Sequence, residues 1–188
     1  MSRFDLILAA VFAAFASTAT AQAADGPGPN LVIEIAGAAN GTVVIDLLAD
    51  VAPLHVAQIS ALAAQGAYDN VVFHRVIDGF MAQTGDVRFG IAGADLAAAG
   101  TGDSDLPNVP AEFTTDLSFQ RGVVGMARAA DPNSANSQFF IMFAPGEFLD
   151  GQYTIVGNVI SGMEVVDAIQ RGEPPSSPDV MVKVTVQQ

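Results

Sequence analysis

Arg75 lies in FHRVIDGFMAQTGD at Phe73–Asp86, a stretch that otherwise reads as buried strand. An arginine seldom enters such surroundings without a partner or a task. Two uncharged amides are set among apolar residues in the same way: Gln83 in that stretch and Gln138 in MARAADPNSANSQFFIMF at Met126–Phe143. None of the three is a nucleophile or a base; each offers hydrogen-bond donors of fixed geometry. If Val71–Val76 is extended, Val71, Phe73 and Arg75 share one face, while Val72, His74 and Val76 share the other. By the same alternation Met81 goes with Gln83, and Gln138 with Phe140 and Met142, opposite Phe139, Ile141 and Phe143. Apolar walls carrying a few donors suit a ligand that is mostly apolar but has carbonyl groups, such as a short peptide containing proline. On these residues alone a plainer account is favoured, in which Phe80, Met81 and Phe140 are core and Arg75 is tied to a structural carboxylate.

The order of the motifs changes that balance. FHRVIDGFMAQTGD, then MARA (Met126–Ala129), SQFFI (Ser137–Ile141) and FLDGQYTIVGNVISGMEVVDAI (Phe148–Ile169) resemble the cyclophilin family of peptidyl-prolyl cis/trans isomerases over about residues 30–186. The resemblance implies that Arg75 is the catalytic residue. It implies a substrate pocket of Phe80, Met81, Gln83, Ala127, Arg128, Ala129, Gln138, Phe140, Phe148, Leu149 and Tyr153. It also implies proline-containing peptides and unfolded proteins as partners, with no cofactor and no metal. Many members carry Asn at the position of Arg128, Trp at Phe148 and His at Tyr153. The contact of Arg128 is expected through its backbone, and Phe148 is expected to leave cyclosporin binding weak. The Gly85–Glu112 loop is longer than in short members and suggests no role.

The elements that must position these residues are marked along the chain. Leu31–Ile35 and Thr42–Leu48 read as strands around an Asn40-Gly41 turn. Pro53 opens a helix over Leu54–Gln65 with Leu54, Ile59 and Leu62 at helical spacing, and Gly66 ends it. Ser161 and Glu164 form a capping box for a second helix with Met163, Val166 and Ile169 as its buried stripe and Gly172 at its close. Further strands are expected at Val71–Val76, Phe80–Thr84, Val123–Ala127, Gln138–Phe143, Tyr153–Ile160 and Val180–Val186. Periodicity alone gives a mixed, mostly β chain. The fold the resemblance implies is an eight-stranded antiparallel barrel capped by two α-helices.

Composition bounds the remaining possibilities. The chain has 188 residues, enough for one core, and a net charge of −13 from 20 acidic and 7 basic residues. Clustered Lys and Arg are missing, so nucleic acid is not an expected partner. Asp95, Asp103 and Asp105 lack the order of a calcium loop and read as solvated charges. At the N-terminus Arg3, the apolar Leu6–Ala16 and Ala21-Gln22-Ala23 read as a cleavable signal peptide over 1–23, followed by a linker over 24–30 and an isomerase domain over 31–188. The apolar stretch is too short to span a bilayer, so the expected mature protein is exported, periplasmic or secreted, with no stable membrane association. There is no cysteine and hence no disulfide or lipidated thiol. Two rival functions are a proline-peptide binding module or chaperone without turnover, which Arg75 argues against, and a hydrolase using Ser137 with His55 or His74, for which no G-x-S-x-G is present.

Overall fold

A computed structural model describes residues 24–187 of the chain. The proposed signal segment 1–23 lies outside the described residues. Nine antiparallel strands form one sheet: β1 (Asn30–Ala36), β2 (Gly41–Leu47), β3 (Val71–Val72), β4 (Arg75–Ile77), β5 (Met81–Thr84), β6 (Val123–Met126), β7 (Phe139–Met142), β8 (Ile155–Ser161) and β9 (Val180–Gln187). Their order is β3-β9-β1-β2-β8-β6-β7-β5-β4. The two outermost strands, β3 and β4, are halves of one segment, so the chain itself joins the ends of the sheet at Phe73-His74. That break turns the expected eight strands into nine. It also overturns the expected alternation, since Phe73 and Val76 both enter the core while Arg75 is half-exposed.

The sheet curls around an apolar interior that includes Ile33, Ile45, Phe73, Val76, Ala82, Val124, Phe139, Ile141, Val156 and Met181. Helix α1 (Pro53–Ala64) begins with Pro53 in its first turn and ends before Gly66, whose φ of +70° suits a left-handed cap. It buries Val56, Ile59 and Leu62 against this interior, whereas Leu54, expected on that stripe, is exposed. Helix α2 (Met163–Ala168) contributes Val166, with Ile169 buried just after it.

Three local expectations change. The capping box does not form: Ser161 is the last residue of β8, and Gly162 (φ +88°) caps α2 without a side-chain hydrogen bond. A Cβ at Gly162 would lie 2.3 Å from the carbonyl oxygen of Thr42, so the close approach of β2 selects glycine there. Helix α2 stops at Ala168, well before Gly172, which bridges to β4 instead. Finally, Gly41 already belongs to β2, pairing with Ile35, so the turn is made by the residues preceding it. No helix among the described residues is long and apolar enough to cross a membrane.

Candidate active site

Strand register places the chemistry. Arg75 on β4 faces Gln83 on β5, Gln83 faces Phe140 on β7, and Phe140 faces Gly125 on β6. These four form one row across the outer face of the sheet. Two residues along, Ile77, Met81 and Met142 form a second row on that face. The residues between the rows, Val76, Ala82 and Ile141, enter the interior. Period-2 alternation thus gives one piece of sheet two apolar surfaces, of which the outer one is a separate cluster of Met81, Phe119, Val123, Phe140, Met142, Leu149 and Ile155. Gly125 is necessary to it, because a Cβ there would lie 2.5 Å from Cζ of Phe140 and 2.6 Å from Cε1 of Phe119.

Above this surface lies a cavity of about 300 Å³ lined by Arg75, Phe80, Met81, Gln83, Ala127, Arg128, Phe140, Phe148, Leu149 and Tyr153. Ten of the twelve residues singled out in the sequence meet here. The other two, Ala129 and Gln138, line an adjoining cavity of about 340 Å³ that shares Gln83, Ala127 and Arg128 with the first. Phe140 stacks on Phe119 and meets the edge of Tyr153, with centroids 5.7 and 5.8 Å apart. Phe148 is 66 % exposed and leans on Phe80 at 5.6 Å. The Arg128 guanidinium turns away to the carbonyls of Ala129 and Gln152, 2.9 Å each, and lies 4.6 Å from the centre of the Tyr153 ring.

The polar groups are held in two different ways. The Gln83 amide donates to Gln138 Oε1 at 2.9 Å, and the Gln138 amide donates to the carbonyls of Gly100 and Gly102 at 3.1 and 2.8 Å. Gly100 and Gly102 in turn donate their N–H groups to Oδ2 of Asp86 at 2.7 and 2.9 Å, while Arg88 and Phe89 donate to Oδ1 at 3.0 and 2.8 Å. Asp86 is fully buried. Burial pushes its carboxyl up, but the four N–H donors outweigh that and hold it below the ordinary carboxylate range. Arg75, by contrast, is held by an ion pair at the surface, its Nε 2.7 Å from Oε2 of Glu173.

The Gly85–Glu112 loop therefore has a place in the site. Gly100, Thr101, Asp103 and Asn108 line the adjoining cavity. Burial, helped by the charge of Asp86, pushes the Asp103 carboxyl up. At the loop's far end Glu112 accepts the N–H groups of Leu54 and His55, both at 3.0 Å, and lies 2.6 Å from Nδ1 of His55. Among the described residues no three metal-ligating side chains gather at one place. Asp95 caps the N–H of Ala97, and Asp105 pairs with Arg88.

His74 is buried and borders, with Arg75, Gln83 and Glu173, a groove of about 560 Å³. It does not turn its back on Arg75 as strict alternation required. Burial pulls its pKa down, against the charge of Asp86. Among the described residues no Ser-His dyad forms: His55 is engaged by Glu112, and the Ser137 hydroxyl bonds to neither histidine. Sequence reasoning missed Glu173 and Asp86. Glu173 sits beside prolines with no periodic signal, and Asp86 ends the Phe73–Asp86 motif with no spacing that marks a role.

Comparison with known proteins places this geometry. The family model for "Cyclophilin type peptidyl-prolyl cis-trans isomerase/CLD" matches residues 31–187. A protein of Brucella suis called a probable peptidyl-prolyl cis-trans isomerase is 50 % identical over 190 residues, covering 96 % of this chain and 94 % of its own. Among solved structures, the cyclophilin AquaCyp293 of Hirschia baltica superposes with a TM-score of 0.72 at 30 % identity, over 86 % of this chain and 74 % of its own. A cyclophilin-type isomerase of Cryptosporidium parvum, crystallised in the presence of the dipeptide Ala-Pro, gives a TM-score of 0.72 at 26 % identity, over 85 % of this chain and 99 % of its own.

Proposed function

The chain belongs to the cyclophilin-type peptidyl-prolyl cis-trans isomerases, and from that premise we propose that Arg75 performs turnover on an X-Pro bond whose ring is enclosed by Phe80, Met81, Phe140 and Leu149. The observation that supports this is the single row of Arg75, Gln83 and Phe140 across β4, β5 and β7, which sets a guanidinium beside an apolar pocket. Rotation about the amide requires loss of resonance against a barrier of about 18–20 kcal/mol. No covalent bond changes, so the catalyst has only to hold the twisted amide better than the planar one. As the bond twists, the prolyl nitrogen becomes pyramidal and its lone pair can accept a hydrogen bond. A guanidinium donates that bond without changing protonation state. A rate gain of about 10⁵ corresponds to about 7 kcal/mol, of which a charge-assisted hydrogen bond contributes about 1.5–3 kcal/mol. Desolvation and orientation in the pocket supply the rest.

Among the described residues no hydrogen bond joins Gln83 to Arg75; one of the two Gln83 amide N–H groups goes to Gln138, which leaves the second as a donor. The role of Gln83 is to bind a substrate carbonyl, with Gln138 fixing its orientation. Residues on one side of the proline occupy the adjoining cavity at Ala127, Arg128, Ala129 and Gln138. Arg128, whose side chain is taken up by Ala129, Gln152 and Tyr153, presents its backbone to the peptide. Phe148 covers Phe80 but lacks an indole N–H, which leaves cyclosporin a weak ligand.

The protein acts on exported clients after removal of residues 1–23. Arg3, the apolar Leu6–Ala16 and the Ala21-Gln22-Ala23 site support that reading. Exchange spectroscopy on a short X-Pro peptide tests the isomerase site: wild-type protein accelerates cis/trans exchange, and a folded Arg75→Ala protein that accelerates it equally removes Arg75 from the mechanism. Mass spectrometry of protein from its own cells tests export. A mature start at Ala24 is expected, and an intact Met1 on a membrane-bound form rejects it.

A further inference from the structure

Among the described residues the Arg75 guanidinium has one hydrogen-bond partner, and that partner is not on any neighbouring strand. It is Glu173, 98 residues downstream in the segment between α2 and β9, with Oε2 2.7 Å from Nε. The backbone beneath Glu173 is fastened to Arg75's own strand. Val76 donates to the carbonyl of Gly172 at 2.8 Å, and Gly172 donates to the carbonyl of Val76 at 2.9 Å. The rest of the segment is equally tied. Gln170 donates its N–H to Asp179 at 2.7 Å, and Arg171 reaches Asp78 at 3.1 Å and the carbonyl of Asp167 at 2.8 Å. Gly172 has φ +148°, and a Cβ on it would lie 2.6 Å from Cα of Pro175, so the turn that delivers Glu173 is specific to glycine.

A long side chain that is half-exposed spreads over many rotamers, yet a donor to the prolyl nitrogen must occupy one of them. Gln83 stands directly across the strand but, among the described residues, accepts no hydrogen bond from Arg75. Resting on the reading that Arg75 carries turnover, we propose that Glu173 is the positioning residue for Arg75. It takes the Nε–H and so aligns the planar fork, leaving the two terminal nitrogens available to the twisting amide. Because Glu173 engages Nε and lines the groove beyond Arg75, away from the apolar pocket, its effect falls on kcat and not on KM.

The test compares wild type, Glu173→Ala, Glu173→Gln, Arg75→Ala and the Arg75/Glu173 double alanine variant on one X-Pro peptide. Glu173→Ala is expected to lower kcat about three- to fivefold, with KM within about twofold, and to speed solvent exchange of the Arg75 Nε–H. Glu173→Gln, which keeps an oxygen acceptor without the charge, falls between. In the Arg75→Ala background the Glu173 substitution has no further effect. Wild-type kcat in Glu173→Ala, or the same proportional loss with and without Arg75, overturns the positioning role. Should the alanine variant not fold, wild-type kcat with unchanged Nε–H exchange in Glu173→Gln overturns it as well. Full activity of Arg75→Ala would instead reject the catalytic reading itself, so the two failures are distinguishable.

Discussion

The two halves of the polar rim are built on opposite plans. Gln83 and Gln138 are held from within, through the carbonyls of Gly100 and Gly102, by a fully buried carboxylate, Asp86, that accepts four backbone N–H groups. Arg75 is held from outside, by a carboxylate that is itself about half exposed. A buried network is satisfied or broken as a unit, so it defines a rigid reading surface for the peptide. An exposed ion pair contributes little to stability, but at Nε it fixes one edge of the guanidinium and leaves the terminal nitrogens to the substrate. The difference fits their tasks, since the amides must present one fixed pattern to the peptide while the guanidinium must be aligned and still keep its outer N–H groups available to the twisting bond.

The largest effect should come from removing the inner anchor. Asp86→Ala leaves four inward-pointing N–H groups without their acceptor and is expected to cost about 3 kcal/mol of stability, seen as a shift of the denaturation midpoint. Activity at saturating folded protein should fall with it, because Gly100 and Gly102 no longer hold Gln138. Unchanged stability would show that the inner half is not held from Asp86. Next in size is Arg75→Ala, expected to lower kcat/KM at least tenfold. Its melting temperature should move by no more than about 2 °C, as befits a half-exposed side chain. Arg75→Lys should recover only part, since an ammonium lacks the planar fork.

Acid should separate the halves further. His74 has a depressed pKa in the folded state, so as pH falls below about 6.5 the unfolded chain binds a proton that the folded one refuses, and stability drops. The Asp86 carboxyl is also depressed, so its contribution is complete above about pH 3.9 and is lost as pH falls through its lower folded value. Melting temperature measured against pH should therefore decline on the acid side. The isomerase rate per folded molecule should stay nearly flat between about pH 6 and 8, where arginine does not titrate. A bell-shaped rate profile abolished by substituting a histidine would contradict the Arg75 mechanism. The smallest change expected is at the outer edge of the pocket. Phe148→Trp should tighten cyclosporin severalfold, about 1 kcal/mol for an added hydrogen bond, and leave turnover of small peptides within about twofold. Equal affinity of both forms would show that this position is not used.

Sequence by itself determined which residues could share a surface. The alternation in Gln138–Phe143 and in Met81–Thr84 sent Phe140, Met142, Met81 and Gln83 to one face and Phe139, Ile141 and Phe143 to the other, because the side-chain period of a strand is fixed by its pleat. The helix from Pro53 and its end before Gly66 were legible for similarly local reasons, proline at the first turn and a glycine with positive φ just after the last. Where the local rule was interrupted, legibility stopped. The bend at Phe73-His74 splits the strand and turns Arg75 outward, and the apparent capping box at Ser161 gives way to the close passage of β2 over Gly162. Only the tertiary structure could pair Arg75 with Glu173 or seat Asp86 under Gly100 and Gly102. The first contact joins residues 98 apart and exists because Gly172 pairs with Val76; the second folds one loop back on itself over 14 and 16 residues; neither obeys a period.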